Sequence, residues 1–333
     1  MAAPTINFDE EKANCELFLR NFVDEYSGSS QPKYAKVLQD IADRERRTLE
    51  IDLDDVATFF EAGAGEHATP EFVGRVEANA RRYIGLFADA ASNLLPPPSA
   101  NATVEPDVFD VLASHRANIA NQAEQVGMPS AVPPALLRRF DVFLRPRAKT
   151  ERTKLRSVSA HHIGHLVTLR GVITHITDVK PLVTVVAYTD SETGNEIYQE
   201  VTARQFTPLD ATAPFSKAKV PPSMETRGSR FSKYQEARIQ EVAEEVPEGA
   251  TPRTIAVQFR GEVCRTAKPG DEVILAGIFL PEPYTGFRAM RAGLLTSTYL
   301  EVQAVTQVKT SYAAHVLTPD GARALNAISA GGD

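Results

Sequence analysis

Three cations recur at three-residue intervals in RGSRFSKYQEARIQE, residues 227–241, where Arg227, Arg230 and Lys233 interleave with Phe231 and Tyr234. Cations set among aromatics suit a polyanion groove, the charges meeting phosphates and the rings offering stacking surfaces. In a strand, side chains two apart share a face, so Arg227 and Lys233 should point one way and Arg230 the other. A second pair lies in YTGFRAMRAG, residues 284–293, where Gly286 and Gly293 bracket Arg288 and Arg291 and would let a hairpin project both. Arg170 ends a strand-like run just before Gly171. Contacts of this kind to a nucleic-acid backbone are salt-dependent and blind to base sequence. Taken as residues alone, the same cations fit the solvated outer face of ordinary strands, and both readings stand at this point.

Two other clusters invite chemistry and are better explained otherwise. His161-His162-x-x-His165 has metal-like spacing but lacks the glutamate of H-E-x-x-H. Asp52, Asp54 and Asp55 are expected to cap a helix beginning near Leu53, where carboxylates favour the helix N-terminus. No nucleophile, base and orienting group occur together. No G-x-x-x-x-G-K-[ST] loop occurs to cradle a triphosphate, so these residues by themselves are expected not to hydrolyse ATP, and ATP with magnesium is expected only if a domain carrying such a loop follows.

The elements that must position the cations divide the 333 residues in two. A chain this long exceeds the usual single core. Apolar residues at helical spacing run through residues 9–26, 33–49, 69–95, 106–125 and 134–144, with Thr69 a candidate N-cap and Pro70 at the first helical position. From about residue 148 the texture turns β-branched, in runs at 166–169, 171–176, 182–188, 254–259 and 273–280 separated by turn signals such as Lys268-Pro-Gly-Asp. The expectation is α+β: a helical N-terminal subdomain over 1–147, then an OB-type barrel over 148–310 with a polar insert near 190–229, and a tail over 311–333.

Charge is segregated along this frame. The formal net charge is −7, yet residues 138–180 hold ten Lys/Arg against three Asp/Glu, and residues 236–248 hold five Glu against one Arg. Segregation rather than the sum decides where a polyanion can sit. No run approaches 18 apolar residues, so no membrane helix is expected. The N-terminal sequence lacks a basic and apolar leader, and with Cys15 and Cys264 as the two cysteines, reduced thiols inside the cell are the expectation.

Several blocks resemble one family. IDLDDVA (51–57), ANARRYIGLFADA (78–90) and LLRRFDVFL (136–144) look like the helical N-terminal subdomain of minichromosome-maintenance (MCM) proteins. LVTLRGVITHITDVKPLVTVVAYT (166–189), RGSRFSKYQEARIQE (227–241), VPEGATPRTI (246–255) and KPGDEVILAGIFLPEPYTGFRAMRAGLLTSTYLE (268–301) look like its OB region, with PYTGF...AGLL...TYLE most similar to the subunit-seven branch. The resemblance implies the non-ATPase half of a ring helicase. It would be a DNA-binding, hexamer-forming collar with other MCM subunits and with loading and firing factors as partners, in the nucleus. It implies DNA contacts from Arg170, Arg227, Arg230, Lys233, Arg288 and Arg291, the last two on a channel hairpin. It also implies that the acidic loop with Glu244, Glu245, Pro252 and Arg253 meets a motor tier. Two rival roles stay open, a regulatory or interaction protein of the ring and a stand-alone OB protein guarding single strands. One departure is plain. The family's insert usually carries two cysteine pairs around zinc, whereas the first pair's positions here are Asp190 and Thr193 and the insert has no cysteine or histidine. Structural zinc needs four such ligands, so no metal is expected there, and head-to-head hexamer contact through the insert is in doubt.

Overall fold

A computed structural model describes residues 7–24, 32–61, 71–99, 107–125, 132–189, 196–201, 208–209, 223–282 and 297–309. Among the described residues the N-terminal part shows seven helices, α1 (Phe8–Asn21), α2 (Lys33–Ala42), α3 (Leu53–Glu61), α4 (Phe72–Ala78), α5 (Ala80–Leu94), α6 (Val108–Gln125) and the single turn α7 (Pro134–Leu137). It also holds two strands, β1 (Thr48–Asp52) and β2 (Asp141–Arg145), paired parallel. Asn7 caps α1 by accepting the Asp9 N–H, and Asp9, Glu10 and Glu11 fill the first turn where the helix dipole favours them.

Three expectations need correction. The run 33–49 is not one helix, because α2 ends at Ala42 and Arg44, just past its cap Asp43, has a left-handed φ of 65°. Glycine is the usual residue for that conformation, so the sequence carried no stop signal. The run 134–144 is one helical turn followed by β2, whose partner strand lies over ninety residues earlier. The stripe 69–95 is α4 and α5, broken at Asn79 with φ −139° and ψ 52°; the proposed cap at Thr69 and Pro70 lies outside the described residues.

The helical core is aromatic. Phe18 sits among Phe22, Tyr34, Phe59 and Phe87 with ring centroids 5.0–6.3 Å apart, tilted or edge-on. Such pairs gain about 0.5–1.5 kcal/mol each beyond area burial.

The second part is a sheet in the order β3 (Leu166–Ile176), β8 (Glu272–Pro281), β9 (Thr298–Gln307), β7 (Thr254–Arg260), β6 (Ser223–Gln240), β4 (Lys180–Thr189), β5 (Glu196–Glu200). β3 also pairs with β6, so β3, β8, β9, β7 and β6 form a ring of five ladders. The β7–β9 ladder is the parallel one. That order is an OB-type barrel, with the β4–β5 hairpin inserted between its first two strands. Alternation along β8 supplies two cores at once. Val273, Leu275 and Phe279 enter the barrel interior, while Ile278 and Leu280 join Leu166 and Tyr299 against the helical part.

Candidate nucleic-acid interface

β6 carries three of the candidate cations, and the structure sorts them. Arg227 is exposed, with no ion-pair or hydrogen-bond partner among the described residues. It rides a bulge: Glu225 pairs with Ala187 and Arg230 with Val185, so β6 has surplus residues between the two pairs. Ser229 braces the bulge, its Oγ donating to the Glu225 carbonyl (2.6 Å) and accepting the Ala187 N–H (3.0 Å). Further along, the exposed Phe231 lies two residues from Lys233, whose side chain is 54% exposed. Lys233 Nζ meets Glu262 at 2.9 Å, a pair exposed on both sides. Pairs of that kind contribute about 0–1 kcal/mol, so the ammonium stays exchangeable.

Arg230 points the other way and is committed. Its guanidinium donates to the carbonyls of Ala135 and Arg138 and meets Asp141 Oδ1 at 3.1 Å. It fastens β6 to α7 and β2 rather than standing free for a polyanion. Arg170 is engaged as well, Nη2 to Glu272 Oε1 at 2.5 Å on the neighbouring strand and Nη1 to Glu244 Oε2 at 3.5 Å. Those carboxylates favour its charged form. The structure therefore groups Arg227, Phe231 and Lys233 at the surface and withdraws Arg170 and Arg230 into ion pairs. Arg288 and Arg291 lie outside the described residues.

The acidic loop is anchored at both ends. Glu241, its side chain fully buried, accepts two bonds from Arg156 (3.2 and 3.1 Å) and one from the Arg253 N–H (2.9 Å). Arg156 hydrogen bonding, with the Arg253 N–H, holds the Glu241 carboxyl below its ordinary range despite burial. Glu244 and Glu245 lie in a short 3-10 turn, with Glu244 74% exposed, and Pro252 and Arg253 are exposed. Arg156 and Glu241 escaped the sequence reading. Glu241 is one of five glutamates in residues 236–248, and nothing in the spacing marked it as the buried one.

The other clusters resolve into structure. Ser159 caps the 3-10 turn Ala160–His162, accepting the His162 N–H and bonding both imidazoles. The rings of His161 and His162 stack at 3.9 Å. Burial, then the neighbouring His161 charge, lowers the His162 pKa. Lys33 bridges Asp52 and Asp55 (3.1 and 2.5 Å), Tyr34 donates to Asp55, and Asp54 accepts the Ala148 N–H. Leu53 begins α3, as the aspartates suggested. Among the described residues no three His, Cys, Asp or Glu are grouped to hold a metal, and no helix is long and apolar enough to cross a membrane.

The chain matches known proteins along most of its length. Residues 12–125 match the MCM N-terminal domain and residues 154–283 the MCM OB domain. A rice protein named DNA replication licensing factor MCM7 is 40% identical over 338 residues, covering 100% of this chain and 45% of its own. Its Arabidopsis thaliana namesake is 38% identical, covering 98% of this chain and 45% of its own, and that of Schizosaccharomyces pombe is 37% identical over 90% and 39%. The chain thus spans under half the length of these relatives. With an MCM N-terminal domain followed in order by an MCM OB domain, and with the helical part and five-strand ring that those two matches call for, this chain belongs to the minichromosome-maintenance family.

Proposed function

We propose that the chain is the DNA-gripping and ring-assembly collar of an MCM replicative helicase subunit, of the subunit-seven type, working in the nucleus. The observation that carries this reading is the exposed row Arg227, Phe231 and Lys233 on the long strand of an OB ring. Cations spaced along a strand follow a phosphate backbone, and an exposed ring lets a base stack without being identified. Binding is therefore electrostatic, without base readout. The relatives named as DNA replication licensing factors support the setting. Other MCM subunits would pack side by side with this chain, loading and firing factors would act on the assembled ring, and the loop bearing Glu244, Glu245, Pro252 and Arg253 would meet a motor tier.

Fluorescence anisotropy with labelled single-stranded DNA tests the reading. Replacing Arg227 and Lys233 together by Ala should weaken binding and reduce the slope of log K against log salt by about 1.4, two phosphate contacts' worth. Replacing Arg288 and Arg291 by Ala should do likewise. If neither pair changes affinity or slope, the DNA role fails and an interaction protein of the ring becomes the better account. Sedimentation with the other subunits tests assembly. A chain that binds DNA tightly while remaining monomeric among them would be a stand-alone strand binder instead.

A further inference from the structure

In this family the insert between the first two barrel strands is ordinarily held by zinc, and the residues present here do not fit that metal. Residues 190–229 contain no cysteine and no histidine. The two cysteines of the chain are elsewhere, Cys15 in the helical core and Cys264 in the barrel core, and burial pushes both thiols up. Structural zinc needs four thiolate or imidazole ligands, which leaves open what fastens the hairpin.

The answer lies on α6. Arg116 is 2% exposed, an unusual state for a long cation. Its Nε donates to Glu196 Oε2 at 2.9 Å, at the start of β5. Tyr198, two residues on, donates its hydroxyl to the same oxygen at 2.5 Å, and its ring lies 5.4 Å from the Arg116 guanidinium carbon. The far side of the guanidinium lies against β6: a Cβ on Gly228 would come within 2.9 Å of Arg116 Nη2. Arg116 thus touches both strands at the root of the insert, β5 through Glu196 and Tyr198 and β6 through Gly228, while β4 pairs with both.

We infer that Arg116 replaces the metal: an arginine from the helical part, clamped by Glu196 and Tyr198, fixes the insert hairpin and joins it to α6 as one body. A metal would hold the insert to itself. This clamp holds the root strands, 196–200 and 223–230, to the helical subdomain, so their orientation is set by α6. Burial would raise the Glu196 carboxyl, but the Arg116 and Tyr198 bonds outweigh it and keep the group charged; the Tyr198 hydroxyl is pushed up to about 12 and stays protonated as a donor.

Hydrogen–deuterium exchange on the whole chain, with metal content measured by mass spectrometry, decides the matter. The purified protein should hold no stoichiometric zinc, and 1,10-phenanthroline should leave exchange in 196–200 and 223–230 unchanged. Arg116→Met should speed exchange there by at least about tenfold, since it strands Glu196 without its partner, while β7 to β9 stay protected. Arg116→Lys keeps the charge but loses the guanidinium over the Tyr198 ring, and should fall between. If Arg116→Met fails to fold, Arg116→Lys and Tyr198→Phe decide: faster exchange confined to the hairpin supports the clamp, and native or uniformly altered exchange overturns it. Stoichiometric zinc, or a hairpin that loosens on chelation, also overturns it. None of these readings depends on whether the chain binds DNA.

Discussion

Arg230 on the barrel strand β6 and Asp141 on the helical-part strand β2 face each other at 3.1 Å. The contact joins the two parts of the chain, and the Ala135 and Arg138 carbonyls complete it on the same guanidinium. Arg230→Ala would leave two carbonyls and a carboxylate short of a donor. It should destabilise the chain by about 1–3 kcal/mol, read as a lower denaturation midpoint, without reducing the salt slope of DNA binding. A reduced slope at unchanged stability would return Arg230 to the DNA surface.

Lys233 differs because its carboxylate partner is itself exposed. Glu262→Gln should change stability by less than about 1 kcal/mol and free the ammonium for phosphate. DNA affinity at low salt should then rise, and the salt dependence should steepen. Unchanged binding would mean that Lys233 makes no contact with DNA.

These two residues show what the sequence could and could not convey. Period two placed Arg227 and Lys233 apart from Arg230, and the exposures agree, although the bulge after Glu225 interrupts the period. Of the ring's strands, β3, β7 and β8 were legible because each is a β-branched run between turn residues, whereas β6 and β9, which complete the ring, are not such runs. The parallel β1–β2 pair was not legible either, because its strands are five residues long and far apart in sequence, and the turn after the helix before β1 runs through a left-handed arginine, Arg44, rather than a glycine. Nor were the ion-pair commitments of Arg170 and Arg230 legible: a cation's spacing says which face it takes, whereas its partners, Glu272 on β8 and Asp141 on β2, come from pairing across the fold.

Glu241 carries a pH dependence with a definite sign. Its folded pKa lies below the ordinary value of 4.5, chiefly through the Arg156 hydrogen bonds. The stabilisation is therefore fully present above the unfolded-state pKa and is lost as pH falls through the folded one. Between pH 6 and pH 3 the wild-type chain should lose thermal stability more steeply than Glu241→Gln, which starts lower at neutral pH because Arg156 keeps only a neutral partner. Parallel curves for the two proteins would show that the carboxylate contributes nothing through its charge.

Gly171 lies where the ring closes. It precedes Val172, the one residue of β3 whose register pairs it with both β8 and β6; from Ile173 on the register is with β6. A Cβ there would stand 2.6 Å from the Gln240 carbonyl oxygen and 2.6 Å from Ile239 Cγ1. The carbonyl is backbone and cannot swing aside, so Gly171→Ala must push β3 away from β6. Overpacking of this kind costs about 1–3 kcal/mol, and here it acts on the ladder that turns an open sheet into a ring. Gly277 is a second such place, with the Glu301 carbonyl 2.6 Å from its would-be Cβ, but on the β8–β9 ladder. Both substitutions should lower the melting temperature. Gly171→Ala alone should also speed amide exchange in residues 172–176 and 237–240, the two sides of the closing ladder. Equal exchange in the two variants would mean that closure does not depend on that glycine.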